Sequence, residues 1–306
     1  MHFLQKYVTE HLGWRPSEFK QAYLELQTGY RSRQRIGYAD TTQIQSYVFT
    51  RFPATYSVCL KIFESYLADL PITSILDWGC GIGTASLALS QLKKLEYFLI
   101  EQDNQAKAYA EQFLKHFFPE NNVKLMPPDK VDLTVFSYSL GEVKTWQTIL
   151  DEIWPKTNYL LIIEPGTPMH FGGLLQMRDY MLSKGAYIWG PCCHQKICPL
   201  AKDDWCHFSV NVPRSKEHRM LKNAERSFEQ ETYSYVLFGK EPKIVDFGRI
   251  ISPPRIHSGH IDLKICSSNG EIIKKTVGRS APHYKQLKKS QWGESVNDKM
   301  AEFFLK

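Results

Sequence analysis

Residues 74–92 read SILDWGCGIGTASLALSQL, and the order of textures inside them decides the fold class. A short apolar run ends in Asp77. A glycine-rich turn follows, Asp77-Trp78-Gly79-Cys80-Gly81-Ile82-Gly83, and then small and apolar residues at helical spacing. Gly79 and Gly81 let the backbone turn tightly and approach a ligand, and the helix beyond offers free N–H groups at its start. The spacing D-x-G-C-G-x-G differs from the G-x-G-x-x-G pattern of dinucleotide sites. Downstream the alternation continues. LEYFLIEQD is a strand ending in acid and NQAKAYAEQFLKHFF a helix. VDLTVFSYSLGEV is a strand, WQTILDEIW a helix, NYLLIIEPGTP a strand and GLLQMRDYMLSKG a helix. This pitch predicts an α/β fold with a parallel, doubly wound sheet and a ligand crevice at the carboxyl ends of the first strands. Glu101 ends the second strand, where a carboxylate can accept hydrogen bonds from ribose hydroxyls.

Upstream of Pro71, EFKQAYLELQTGYRSR and ATYSVCLKIFESYLADL carry apolar residues at i, i+3, i+4 and i+7, so residues 1–70 are expected to form a helical region. Residues 71–189 then form the Rossmann-like domain, and residues 190–306 a β-rich extension with turns at Pro-Pro, Ser-Gly and Asn-Gly. At 43% hydrophobic and 23% charged, the 306 residues have the composition of a soluble globular chain. A net charge of +6 is explained by solvated lysines and by itself points to no partner. The first residues lack the apolar core of a signal peptide, and no stretch approaches the length of a membrane span. The expectation is a cytoplasmic chain in a reducing compartment, a monomer without membrane contact, whose clustered thiols are metal ligands or redox groups rather than disulfides.

Those thiols lie in GPCCHQKICPLAKDDWCHFSV, residues 190–210. Cys192, Cys193, Cys198 and Cys206 are four of the seven cysteines in the chain. A closed site needs a fourth soft ligand besides Cys192, Cys198 and Cys206. Cys193, His194, His207 and the distant Cys266 are the candidates, with Cys193 poorly placed because adjacent side chains diverge. Zinc sites usually show C-x2-4-C knuckles, and none occurs here. Widely spaced thiolates with a remote partner fit an iron–sulfur cluster at least as well.

The D-x-G-C-G-x-G loop together with Glu101 resembles the S-adenosylmethionine site of class I methyltransferases. The resemblance implies that Asp77, Gly79, Gly81 and Gly83 form the loop around the methionine and ribose parts, and that Glu101 binds the ribose. Further segments resemble the Rsm-type methyltransferase-like family, bacterial relatives of the mitochondrial small-ribosomal-subunit assembly factor. They are EPGTP at 164–168, the helix with Arg178, PCxH…CPL…WCHFS, VPRSKEHRxLK, RFPATY at 51–56 and the terminal GRSAPHYKQLKKSQWGES, together spanning about residues 45–295. That resemblance implies a class I methyltransferase fold carrying a [4Fe-4S] cluster on Cys192, Cys198, Cys206 and Cys266, acting with small-subunit rRNA during ribosome assembly. Where the family has proline after the first ligand this chain has Cys193, which leaves Cys192 and Cys193 as alternatives. Zinc remains the alternative metal.

No residue stands out as a methyl-transfer catalyst. The turn after the fourth strand reads Ser137-Tyr138-Ser139-Leu140-Gly141-Glu142 in place of the (Asn/Asp)-Pro-Pro-(Tyr/Phe) of amino-methylating enzymes. Glu142 could act as a base, although a solvated glutamate explains it as well. Two basic segments complete the inventory: Arg214, Lys216, Arg219, Lys222 and Arg226, and then Lys274, Lys275, Arg279, Lys285, Lys288 and Lys289 interleaved with His283, Tyr284 and Trp292. Cations for phosphate and aromatics for unpaired bases suit structured RNA. Two functions share all these features: an rRNA methyltransferase, and a non-catalytic assembly factor that uses S-adenosylmethionine and the cluster structurally.

Overall fold

The chain opens on helices. In the computed structural model, which describes residues 2–32, 37–201, 203–243, 246–297 and Phe304, these are α1 (His2–Tyr7), α2 (Pro16–Ser32), α3 (Thr41–Thr50) and α4 (Phe52–Tyr66). Asp40 caps α3 by accepting from the Gln43 N–H at 2.9 Å. The alternating part follows as β1 (Ser74–Trp78), α5 (Thr84–Ser90), β2 (Glu96–Ile100), α6 (Asn104–Phe117), β3 (Asn122–Lys124), β4 (Val131–Ser137), α7 (Trp146–Ile153), β5 (Thr157–Pro165), α8 (Pro168–Ser183) and β6 (Tyr187–Gly190). Beyond it come β7 (Phe208–Pro213), α9 (Lys216–Lys222), β8 (Phe228–Gly239), β9 (Gly248–Ile250), β10 (Arg255–Ile256), β11 (His260–Ser267), β12 (Ile272–Gly278), α10 (Tyr284–Leu287) and β13 (Ser295–Val296).

The larger sheet has the order β3-β2-β1-β4-β5-β8-β6, with β7 paired to β8. Its first five strands follow the doubly wound order, with the switch point between β1 and β4. This is an α/β, Rossmann-like fold. The sheet is mixed rather than wholly parallel, because β8 runs antiparallel to both β5 and β6. The helix–strand alternation that announces parallel strands stops at Gly190, so nothing in the sequence marks the direction of β8. Three consecutive buried pairs, Leu160↔Phe238, Leu161↔Leu237 and Ile162↔Val236, hold it in register.

Two compact units are distinguished: Met1–Lys144 with Pro155–Thr157 and Val210–Glu231, and Thr145–Trp154 with Asn158–Ser209 and Thr232–Lys306. In the first, α5 is buried on every side, and for that reason its sequence, TASLALS, is small and apolar throughout. Here also lies a knot of charge: the Glu229 carboxylate accepts from Arg214 at 2.8 Å and from Lys222 at 3.0 Å, with His218 at 3.6 Å. In the second unit β9 to β13 form a separate five-stranded sheet whose core includes Ile250, Ile261, Leu263, Ile265 and Val277. No helix among the described residues is long and apolar enough to cross a membrane.

Candidate functional site

The glycine loop sits at the switch point of the first unit. Gly79 and Cys80 both donate to the Ile100 carbonyl, at 2.7 and 3.1 Å, which ties the end of β1 to the end of β2. Gly79 (φ +67°), Gly81 (φ +53°) and Gly83 (φ +79°) all lie in the left-handed region. Their surroundings differ. A Cβ at Gly79 would lie 2.6 Å from the Ser139 Cβ, so the loop packs directly on the turn after β4. At Gly81 it would meet nothing within 4 Å, so the backbone borders open space. At Gly83 it would meet the Ala110 Cβ at 3.1 Å, which makes this glycine a contact between α5 and α6.

Asp77, 1% exposed, is the buried charge of the site. Its Oδ2 accepts from the Ser86 hydroxyl at 2.6 Å and the Ser86 N–H at 3.1 Å, bracing α5. Its Oδ1 is buried with no hydrogen-bond partner among the described residues. Burial pushes the Asp77 carboxyl up to about 6 against the pull of the Ser86 bonds, with a smaller push from Glu101. An orphaned, buried carboxylate oxygen fits a donor or cation supplied by a ligand. Glu101 closes the other side: its Oε2 accepts from Gly81 N at 2.9 Å, and its Oε1 from the N–H groups of Gln102 and Asp103 at 2.7 and 2.9 Å. Asp103 in turn caps α6 and accepts from Tyr38 N at 2.9 Å. Desolvation and Glu101 together raise the carboxyl of Glu142.

Sequence reasoning passed over Tyr138. It follows β4 with φ +58°, rare for a non-glycine residue and concentrated at functional sites. The Arg51 guanidinium lies 5.3 Å from its ring centroid and pairs with Glu231 at 2.8 Å. The sequence signal was available: Arg51 opens the RFPATY segment, and Tyr138 occupies the turn where a catalytic motif is expected.

The second unit holds the thiols. Cys192, Cys198, Cys206 and Cys266 line a single pocket, together with Arg178 and Arg249. Cys192 and Cys198 lie on the connection between β6 and β7, Cys206 lies just before β7, and Cys266 lies inside β11 opposite Arg249 of β9. Cys193 is buried beside them, its thiol donating to Pro191 O at 3.9 Å. His194 lies 3.4 Å from the Cys266 Sγ, whereas His207 stacks on Trp205. The loop is held from several sides. Arg178 donates to Lys196 O at 2.5 Å, Lys196 to Asn269 O at 2.8 Å, Trp205 to Gly166 O at 3.0 Å and Ser234 to Cys206 O at 2.8 Å, while Lys264 pairs with Asp204.

Burial raises the thiols of Cys198, Cys206 and Cys266, the last to about 12, and negative charge on neighbouring cysteines raises each further. A bound cation reverses that balance, because metal ligation deprotonates thiols outright. Burial opposes the charge of Arg178, 3% exposed, and Cys192 and Asp179 more than restore it. Four soft donors with two guanidiniums suit an anionic metal–thiolate centre.

The basic segments are only partly available. Arg214 and Lys222 are engaged with Glu229. Tyr284 belongs to the core of the small sheet and cannot stack on a base. Lys274, Arg279, Lys285, Lys288 and Lys289 are exposed.

A family model described as mitochondrial small ribosomal subunit Rsm22 matches residues 41–297. Two Schizosaccharomyces pombe proteins, Rsm22-cox11 tandem proteins 1 and 2, mitochondrial, are each 22% identical over 329 residues, covering 82% of this chain and 43% of the relative. The chain thus spans less than half the length of these relatives. Among solved structures, a candidate RNA methyltransferase from Pyrococcus horikoshii is similar at a TM-score of 0.42 and 17% identity, over 60% of this chain and 83% of that one. Magnesium protoporphyrin IX methyltransferase from Synechocystis PCC 6803 gives 0.40 and 10%, over 78% and 96%.

Proposed function

This chain belongs to the mitochondrial small ribosomal subunit Rsm22 family, and on that premise we propose that it is an S-adenosylmethionine-binding, iron–sulfur, methyltransferase-like protein that acts on small-subunit rRNA in ribosome assembly. The observation that carries the reading is the Asp77 carboxylate at the end of β1, where the glycine loop begins, with one oxygen bracing α5 and the other buried and unpartnered among the described residues. Asp77 would take the ammonium of S-adenosylmethionine, the Gly79–Gly81 backbone would lie along its methionine and ribose parts, and Glu101 would accept from the ribose hydroxyls while bracing the loop. Bound there, S-adenosylmethionine supplies an electrophilic methyl group.

In the second unit Cys192, Cys198, Cys206 and Cys266 would hold a [4Fe-4S] cluster. Arg178 and Arg249, both in the pocket lining, would balance its charge. A cubane suits thiolates drawn from separate parts of the sequence, since each binds a different iron. The exposed lysines 274, 285, 288 and 289 would meet rRNA phosphates.

One observation favours assembly without methyl transfer: the turn after β4 presents Tyr138 and Ser139 in place of the Asn/Asp-Pro-Pro run of amino-methylating enzymes, and its acid, Glu142, comes only at its end. The test is transfer of labelled methyl groups to small-subunit rRNA by cluster-loaded protein. Incorporation that Asp77→Ala abolishes establishes the enzyme. S-adenosylmethionine and rRNA binding without incorporation establishes the assembly factor. Failure to bind either ligand overturns both.

A further inference from the structure

Away from both sites, the hairpin of β10 and β11 gathers His257, His260 and Asp262 on one surface of the small sheet. The Asp262 Oδ2 lies 3.2 Å from His257 Nε2 and 3.9 Å from His260 Nε2, and all three ligand atoms fall within 4.8 Å of one another. We propose that these three side chains form a second metal site, taking a borderline divalent cation such as zinc through two imidazoles and a carboxylate.

The geometry is close to what such a cation requires. Zinc bonds nitrogen and oxygen at about 2.0–2.1 Å, so tetrahedral ligands stand about 3.3 Å apart. The carboxylate oxygen is already at that distance from one imidazole, and the second must move in by about half an ångström. Two features hold the ligands in place before any metal arrives. His257 donates its N–H to the His260 carbonyl at 2.9 Å, which fixes the turn and brings the imidazoles to a 4.4 Å, near-parallel stack. Thr276, across on β12, donates its hydroxyl to Asp262 Oδ1 at 2.6 Å and so turns Oδ2 toward the histidines. Such an outer contact orients a ligand and raises metal affinity. The donor set contains no sulfur and chooses zinc, nickel or copper over iron–sulfur chemistry. The side chains are 40–46% exposed, so a fourth coordination position faces solvent and is open to water or an anion.

The site is tested with zinc alone, titrated into the full-length protein as purified, with X-ray absorption of the bound zinc. One zinc should bind with a first shell of nitrogen and oxygen at about 2.0–2.1 Å and no sulfur at about 2.3 Å. His260→Ala and Asp262→Asn should each abolish that binding while leaving iron content unchanged, and Thr276→Val should weaken it roughly tenfold. Zinc held by sulfur alone, a nitrogen and oxygen shell that survives His260→Ala, or no binding at all overturns the proposal. Iron-free protein leaves the test intact, because the absorption shell separates zinc on the cysteines from zinc on this hairpin.

Discussion

Replacing Asp77 by asparagine should stabilise the ligand-free first unit and cripple S-adenosylmethionine binding. Burial raises the Asp77 carboxyl from its usual 3.8 to about 6. At neutral pH, where the folded unit must hold the ion, this costs about 3 kcal/mol. Asparagine carries no charge. Its carbonyl can take the Ser86 bonds that Oδ2 takes now, and its amide then occupies the unpartnered place of Oδ1 at a cost of about 1 kcal/mol. The net gain is about 2 kcal/mol, a rise of roughly 4–8 °C in melting temperature for a unit of this size. The pH dependence carries the sign. A carboxyl raised by folding contributes stability that is fully present below 3.8 and lost as pH rises through about 6. The variant should therefore gain on the wild type as pH rises from 4 to 7, measured by thermal or urea unfolding without ligand. Affinity for S-adenosylmethionine, measured by calorimetry, should fall roughly ten- to a hundredfold, the worth of one hydrogen bond to a charged group. A variant less stable than the wild type at pH 7.5, with a difference independent of pH, refutes the reasoning.

Gly79→Ala forces a side chain into left-handed backbone and against Ser139 at 2.6 Å; it should lower stability by about 2 kcal/mol or more and abolish S-adenosylmethionine binding in the same calorimetric assay. Cys198→Ser should lose the cluster, loosen the second unit to limited proteolysis and weaken rRNA association, while S-adenosylmethionine still binds. Arg178→Met removes a buried positive charge beside Cys192 and should lower the cluster's reduction potential in a titration followed by electron paramagnetic resonance, since fewer charges then compensate the added electron. Glu229→Gln should cost about 2 kcal/mol at neutral pH. The cations around Glu229 hold its carboxyl far below the usual 4.5, so its contribution is present above that value and fades as pH falls through the depressed one; urea unfolding at pH 7 and pH 3 reads the difference.

Strands β1, β2, β4 and β5 were legible because each carries the same local signal: an apolar run, a turn and a helix that must pack back on the sheet; β3, the three residues Asn122–Lys124 with no buried side chain and no helix after it, carries none of it. Strand β8 was legible as a strand but not as an antiparallel insertion, since its neighbours are fixed by pairing with β5 and β6 rather than by its own residues. The glycine loop was readable to the residue, but the different jobs of Gly79, Gly81 and Gly83 depend on Ser139, open space and Ala110, which sequence does not place. Spacing pointed to Cys192, Cys198 and Cys206, and resemblance named Cys266; the four line one pocket, with Cys193 buried beside them. Arg249 escaped notice because its closeness to the thiols arises from its register with Cys266 across two strands. The His257–His260–Asp262 group lay in plain view but was read as a turn, because its third member acts through a cross-strand contact with Thr276.

The central claim joins a methyltransferase fold to an iron–sulfur centre, and the most direct test is the metal content of protein purified without oxygen. The account predicts brown protein with about four iron and four sulfide per chain, lost together in Cys206→Ser. Colourless protein whose cysteines hold zinc, seen as a sulfur shell at about 2.3 Å, would contradict it.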